Sequence, residues 1–144
     1  HRLLKIQDLS EGGFQPFVSD DQQDILLFNG EIYNFHELRS ELESEYHFKT
    51  QSDTEVLLAG LKKWRYEVFK HLRGMFSFAW LHIPTQTLVL ARDWFGIKPL
   101  FYHEGLHFSF ASQISSLLTL PWISKKPNAQ ALYQTIYHGQ CDFQ

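Results

Sequence analysis

Among side chains that do covalent chemistry the thiol is the most nucleophilic near neutral pH, and this sequence holds one. The one thiol, Cys141, is a candidate nucleophile, and His138 makes with it a lone His-x-x-Cys pair. A zinc site needs about four ligands, and no second pair is near. The remaining histidines are scattered; His103 and His107 flank a predicted hairpin turn, where a surface role outweighs metal binding. Two other segments hold polar groups in close register. Asn29-Gly30 by residue type alone signals a tight hairpin turn. Only Glu31-Ile32-Tyr33 separates it from a helix cap at Asn34, however, which is too little for a partner strand. Asp53 stands in a predicted first helical turn, where the helix dipole favours a carboxylate. Its neighbours Ser52 and Glu55 have the Ser-x-x-Glu form of a capping box. A third segment, Arg92-Asp93 through Leu100, reads as a strand-to-strand connection that turns at Gly96 and leaves through Pro99.

The elements that must position these groups follow from hydrophobic period. Ile25-Leu26-Leu27-Phe28 is a short apolar run, consistent with a strand over Asp24 to Phe28 that is buried on both faces. Asn34 and Glu37 form a capping-box-like pair, with Phe35, Leu38 and Leu42 at helical spacing behind them. Leu57, Leu61 and Trp64 mark one face of a second helix. After Gly74 the period changes: Phe76, Phe78 and Trp80 alternate with small residues and predict a strand. Pro84-Thr85-Gln86 predicts a turn and Thr87 to Ala91 the returning strand. Leu100 to His103 and His107 to Ala111 predict a second hairpin around Glu104-Gly105. Ser112 is placed as the cap of a short helix to Leu118, Pro121 and Pro127 bracket a linker, and Asn128 begins a last helix. The order of one strand, two helices and a run of antiparallel strands gives an α+β class.

Bulk properties exclude several kinds of protein. The 144 residues imply one domain. A net charge of −3 without blocks of like charge offers nothing to nucleic acid or to an anionic membrane. No apolar run approaches the ~20 residues of a membrane helix, and His1 to Ser10 lacks the apolar core of a signal peptide. A single cysteine makes no internal disulfide, so a reducing, cytoplasmic compartment is expected. The 13 Phe and 4 Trp predict a bulky, well-filled core.

Phe28-Asn29-Gly30-Glu31-Ile32-Tyr33-Asn34, Ser52-Asp53-Thr54-Glu55-Val56 and Arg92 to Leu100 together resemble the glutaminase domain of class II glutamine amidotransferases. The Asn-Gly-Glu-Ile-Tyr-Asn spelling and Phe110-Ala111-Ser112 resemble most the glutamine-hydrolysing asparagine synthases. The likeness runs from His1 to about Leu118. It implies the four-layer αββα sandwich of N-terminal nucleophile hydrolases, incomplete at the N-terminus. It also implies an amidotransferase domain over 1–120 and, over 121–144, a linker with the start of a synthetase domain.

By the same resemblance Asn29 (side-chain amide) and Gly30 (backbone N–H) form the oxyanion hole. Amide hydrolysis builds negative charge on the carbonyl oxygen, and two preorganised donors stabilise it. Asp53 is implied to hold the α-ammonium of glutamine through a charge-assisted bond, with Glu31 close by. Backbone groups of Leu4 and Ile6 are implied to line the pocket. The family pattern has an Arg for the α-carboxylate where this chain has Leu3, and Arg2, one residue away, would point to the opposite face of an extended segment. The family's nucleophile is an N-terminal cysteine. The sequence starts at His1, and Cys141 lacks the adjacent free amine that would take up its proton, so this chain alone is expected to be inactive.

The implied partners are L-glutamine, the chain's own C-terminal synthetase domain and a second copy in a homodimer. No cofactor or metal is expected in this chain; ATP and magnesium would belong to the synthetase domain. Two alternatives stay open: the same chemistry with another acceptor, such as a sugar acid, and a non-catalytic glutaminase-like binding module.

Overall fold

A computed structural model describes residues 15–138. The chain divides into two compact units, one ending at Leu100 and one beginning at Phe101. The first unit carries a four-stranded antiparallel sheet in the order β1 (Phe17–Val18), β2 (Asp24–Ile32), β3 (Gly74–His82), β4 (Thr87–Arg92). Between β2 and β3 the chain forms α1 (Phe35–Leu42), α2 (Asp53–Trp64) and a 3-10 segment, Arg65–Lys70.

Strand β2 explains the layering. Leu26, Phe28 and Ile32 are buried while the residues between them are only half-buried. Side chains alternate across a strand, so this row faces the helices. Phe76, Phe78 and Trp80 of β3 share the row and meet Leu38, Leu42, Val56, Leu57 and Leu61 in one core. Each such large side chain contributes roughly 1.5–3 kcal/mol by leaving water. Helix α2 is buried from Asp53 through Leu61 on every side, not along one face only. Its first turns therefore lie inside the unit, where the polar side chains of Asp53, Thr54 and Glu55 are buried.

Several local expectations change. Strand β2 does not stop at Phe28 but continues to Ile32, and this removes the hairpin-turn reading of Asn29-Gly30. Asn34 sits at the start of α1 but makes no capping bond. Its side chain instead bridges to the far end of the helical excursion, donating to the His71 carbonyl at 2.9 Å and accepting from Arg73 N–H at 3.0 Å. Ser52 does cap α2, accepting from Thr54 N–H at 3.1 Å. Glu55 does not complete the box: its buried carboxylate takes the Lys49 and Thr50 amides and the Thr50 hydroxyl. The predicted turn at Pro84 is a 3-10 segment, Ile83–Thr85, closed by Gln86 in the left-handed region.

In the second unit β5 (Phe101–His103) pairs with β6 (Ser109–Ala111), as the hairpin pattern predicts. The short α3 (Ile114–Leu117) packs on this pair with Leu117 buried, and Ser112 is not its cap, since the helix starts after Gln113. Asn128 caps α4 (Ala129–His138), accepting from Gln130 N–H at 3.0 Å. Mixed helices and antiparallel sheets make the class α+β, as the element order implies. No helix among the described residues is long and apolar enough to cross a membrane.

Candidate active site

The candidate residues lie at one end of β2, and the hydrogen-bond alternation of antiparallel strands shows which way its backbone points. Residues opposite each other exchange hydrogen bonds only at every second position. Tyr33 N–H donates to Arg73 O at 2.7 Å, which places the bonded positions of β2 against β3 at 33, 31 and 29. Gly30, opposite Phe76, is in the other class. Its N–H therefore points away from β3, toward the outer edge of β2. Two neighbours on that edge confirm the direction. Phe28 N–H donates outward to Gln15 Oε1 at 2.7 Å, and Ile32 N–H donates outward to Asp53 Oδ2 at 3.0 Å. The Gly30 amide stands between them, and among the described residues β1 pairs only with Ile25 and Leu26. Asn29, half-buried, projects on the sheet face opposite the helices, as alternation from Phe28 requires.

Glycine at position 30 is required sterically. Its φ is +153°, and a Cβ there would lie 2.1 Å from Met75 O and 2.6 Å from Phe76 Cα. The two backbones are too close for any side chain. Gly74, opposite Ile32, repeats this: its Cβ would meet Glu31 O at 2.1 Å.

Asp53 opens α2 and is buried. Burial pushes its carboxyl above the usual range, and the charge of Glu31 adds to the rise. The Ile32 and Thr54 amides act against both. Two carboxylates near each other, one of them desolvated, make a place where a bound cation lowers the cost of charge. Alternate residues on a strand are about 7 Å apart, so the Ile32 amide held by Asp53 is about that far from the Gly30 amide. The structure thus brings Asn29, Gly30, Glu31 and Asp53 to one end of the sheet. Leu4, Ile6, Leu3, Arg2 and Cys141 lie outside the described residues. No group of three or more His, Cys, Asp or Glu side chains among the described residues could hold a metal ion.

Sequence reasoning missed two supports of this end. Gln15 clamps Phe28, donating from Nε2 to its carbonyl at 2.7 Å while accepting from its N–H. Asp93 is buried and accepts from four backbone amides: Phe95 (3.1 Å) and Ile97 (2.9 Å) on Oδ1, Phe76 (3.2 Å) and Lys98 (3.0 Å) on Oδ2. Burial alone would raise its pKa, but the four donors outweigh it and hold the carboxyl below its usual range. The Asp-x-x-Gly spacing was a visible signal of a side chain folding back on its own loop; the bond to Phe76 had none. A separate buried cluster, Asp24 accepting from Trp80 Nε1 and bonded to His82 Nδ1 (both 2.8 Å), sits at the opposite end of β2.

Comparison with known proteins agrees with the resemblance read from the three segments. The glutamine amidotransferase domain family matches residues 1–143. Asparagine synthetase [glutamine-hydrolyzing] 1 of Bacillus subtilis is 47% identical over 119 residues, covering 81% of this chain and 19% of that protein. Asparagine synthetase [glutamine-hydrolyzing] 3 of the same organism is 39% identical over 136 residues, covering 92% of this chain and 22% of that protein. The chain thus spans about a fifth of the length of these relatives. Among solved structures, glutamine phosphoribosylpyrophosphate amidotransferase from B. subtilis superposes with a TM-score of 0.64 at 26% identity. That match covers 75% of this chain and 26% of the other. The fold is accordingly the α+β fold of the N-terminal nucleophile hydrolases, and the chain belongs to the glutamine amidotransferase domain family.

Proposed function

We propose that this chain is the glutaminase part of a longer asparagine synthase and that its substrate is L-glutamine. The observation that carries the reading is the edge of β2, where the Gly30 N–H points outward beside an amide held by the buried Asp53. Asn29 and Gly30 would donate to the amide oxygen of glutamine as attack turns it into an oxyanion. Stabilisation there acts on the transition state more than on bound substrate. Asp53, with Glu31, would hold the α-ammonium, and backbone groups of Leu4 and Ile6 would complete the pocket. The nucleophile would be a cysteine outside this sequence. Its sulfur attacks the amide carbon, its proton passes to its own α-amine, and that proton leaves with the departing ammonia. Water then cleaves the thioester to glutamate.

In this reading residues 1–120 form the amidotransferase domain, and 121–144 are a linker and the start of the synthetase domain that takes the ammonia. ATP and magnesium would serve that domain by activating aspartate for amidation; no residue of this chain is assigned to either. A cytoplasmic enzyme, self-associated as a dimer, completes the proposal.

The test is glutamate release from glutamine by the protein expressed from its complete reading frame, beside the same protein with its first cysteine replaced by alanine. Cysteine-dependent release, with asparagine formed from aspartate and ATP, supports the proposal. Cysteine-dependent release with amidation of another acceptor would retain the glutaminase and reject the acceptor. Folded protein with no release in either form would reject the enzyme in favour of a binding module.

A further inference from the structure

We propose that Asp93 is a positioning residue for the glutaminase site, setting the place of the Gly30 amide through the backbone of Phe76. The inference rests on the oxyanion role proposed for Gly30 and goes beyond it to a residue on another strand.

Gly30, Phe76 and Asp93 stand in one row across β2, β3 and the end of β4. Because the Gly30–Phe76 position is not a bonded pair, Phe76 turns both its backbone groups the other way, toward Asp93. The Phe76 carbonyl accepts from Asp93 N–H at 2.7 Å. The Phe76 N–H, which a regular ladder would give to the carbonyl of residue 93, donates instead to Asp93 Oδ2 at 3.2 Å. The carboxylate thus closes the last rung of the β3–β4 ladder while its remaining contacts fold residues 95–98 into a loop.

On its other side Phe76 lies directly opposite Gly30 on the neighbouring strand, with no room for a methyl group between the two backbones. Phe76 is therefore gripped on one side by a buried charge with four donors and pressed on the other by Gly30. A shift of Phe76 away from β2 would leave Gly30 without its support. A shift toward β2 would collide with it. Close-packed interiors transmit such displacements, and oxyanion stabilisation depends on donor placement. Asp93 itself touches neither substrate nor reacting atoms in this proposal.

The test uses the full-length protein and its Asp93→Asn variant. An asparagine at 93 keeps one acceptor oxygen but turns an NH2 toward amides the second oxygen now serves. Glutamine hydrolysis in Asp93→Asn is expected to lose about 10–100-fold in kcat, a fraction of the ~10²–10³ that removal of an oxyanion donor costs. KM for glutamine is expected to stay within about twofold, the pattern of an interaction made only in the transition state. Gly105→Ala, where an added Cβ meets only the tip of the His103 ring, is expected to leave kcat near wild type. An Asp93→Asn kcat equal to wild type, or equal losses in Gly105→Ala and Asp93→Asn, would overturn the proposal.

Hydrogen exchange on the wild-type protein gives a second reading that needs no folded variant. Bound glutamine is expected to slow exchange in peptides covering 28–32, 74–78 and 93–98 together. Protection confined to 28–32 would sink the role of Asp93 while leaving the glutaminase intact. A wild type that neither hydrolyses glutamine nor changes exchange anywhere would overturn both.

Discussion

Replacing Gly30 with alanine tests the close approach of β2 and β3 on which the site geometry depends. The added carbon would sit 2.1 Å from Met75 O and 2.6 Å from Phe76 Cα, both backbone atoms that no rotamer change can move. Inserting a methylene into a packed interior costs about 1–3 kcal/mol. Holding a non-glycine residue at a φ of +153° adds about 1–3 kcal/mol of backbone strain. Together these predict destabilisation of about 2–6 kcal/mol, a large share of the ~5–15 kcal/mol that holds a typical domain folded. With a urea m-value of about 2 kcal/mol/M, the midpoint should fall by about 1–3 M. Urea unfolding followed by tryptophan fluorescence is the assay, because Trp80 is buried in the same sheet. Gly105→Ala is the control. A Cβ there meets only the tip of the His103 ring, which can swing away, so the change should stay within about 0.5 kcal/mol. A Gly30→Ala midpoint within ~0.2 M of wild type would show that the strands separate at little cost and that the row Gly30–Phe76–Asp93 is not rigid.

Asp53→Asn separates ligand binding from folding. The folded pKa of Asp53 is raised, so its charged form is disfavoured in the native state, and stability should fall as pH rises from about 3.8 through the raised value. The asparagine oxygen can still accept from Ile32 N–H. Asp53→Asn should therefore fold at least as stably as wild type near neutral pH and lose that slope, while glutamine KM rises about 10–100-fold for a lost charge-assisted bond of ~1.5–3 kcal/mol. Lower stability at pH 7 with unchanged KM would make Asp53 a purely structural residue. Glu55→Ala strips the partner from the Lys49 and Thr50 amides and the Thr50 hydroxyl at a buried position. It should cost about 2–4 kcal/mol, read as a lower melting temperature, with Glu55→Gln recovering part of the loss.

Periodicity and residue type determined much of this protein by themselves. They placed two helices between strands, located β3, β4 and the second hairpin, and gave the Ser52 cap, because these depend on neighbours within a few residues. The spelling around Asn29, Asp53 and Asp93 was enough to indicate the family. Only the tertiary structure decided where the polar side chains spend their hydrogen bonds. Asn34 and Glu55 have the spacing of caps, yet the folded chain offers each of them backbone amides from another segment: Arg73 N–H for one, the Lys49 and Thr50 N–H groups for the other. Asn29-Gly30 reads locally as a turn. It becomes strand because β3, more than forty residues further along the chain, comes close enough to pair with it as far as Ile32. The outward direction of the Gly30 amide follows from that pairing, and its support by Asp93 from the next strand over. Register between distant segments is set when the whole sheet packs on its core, and no local pattern carries it.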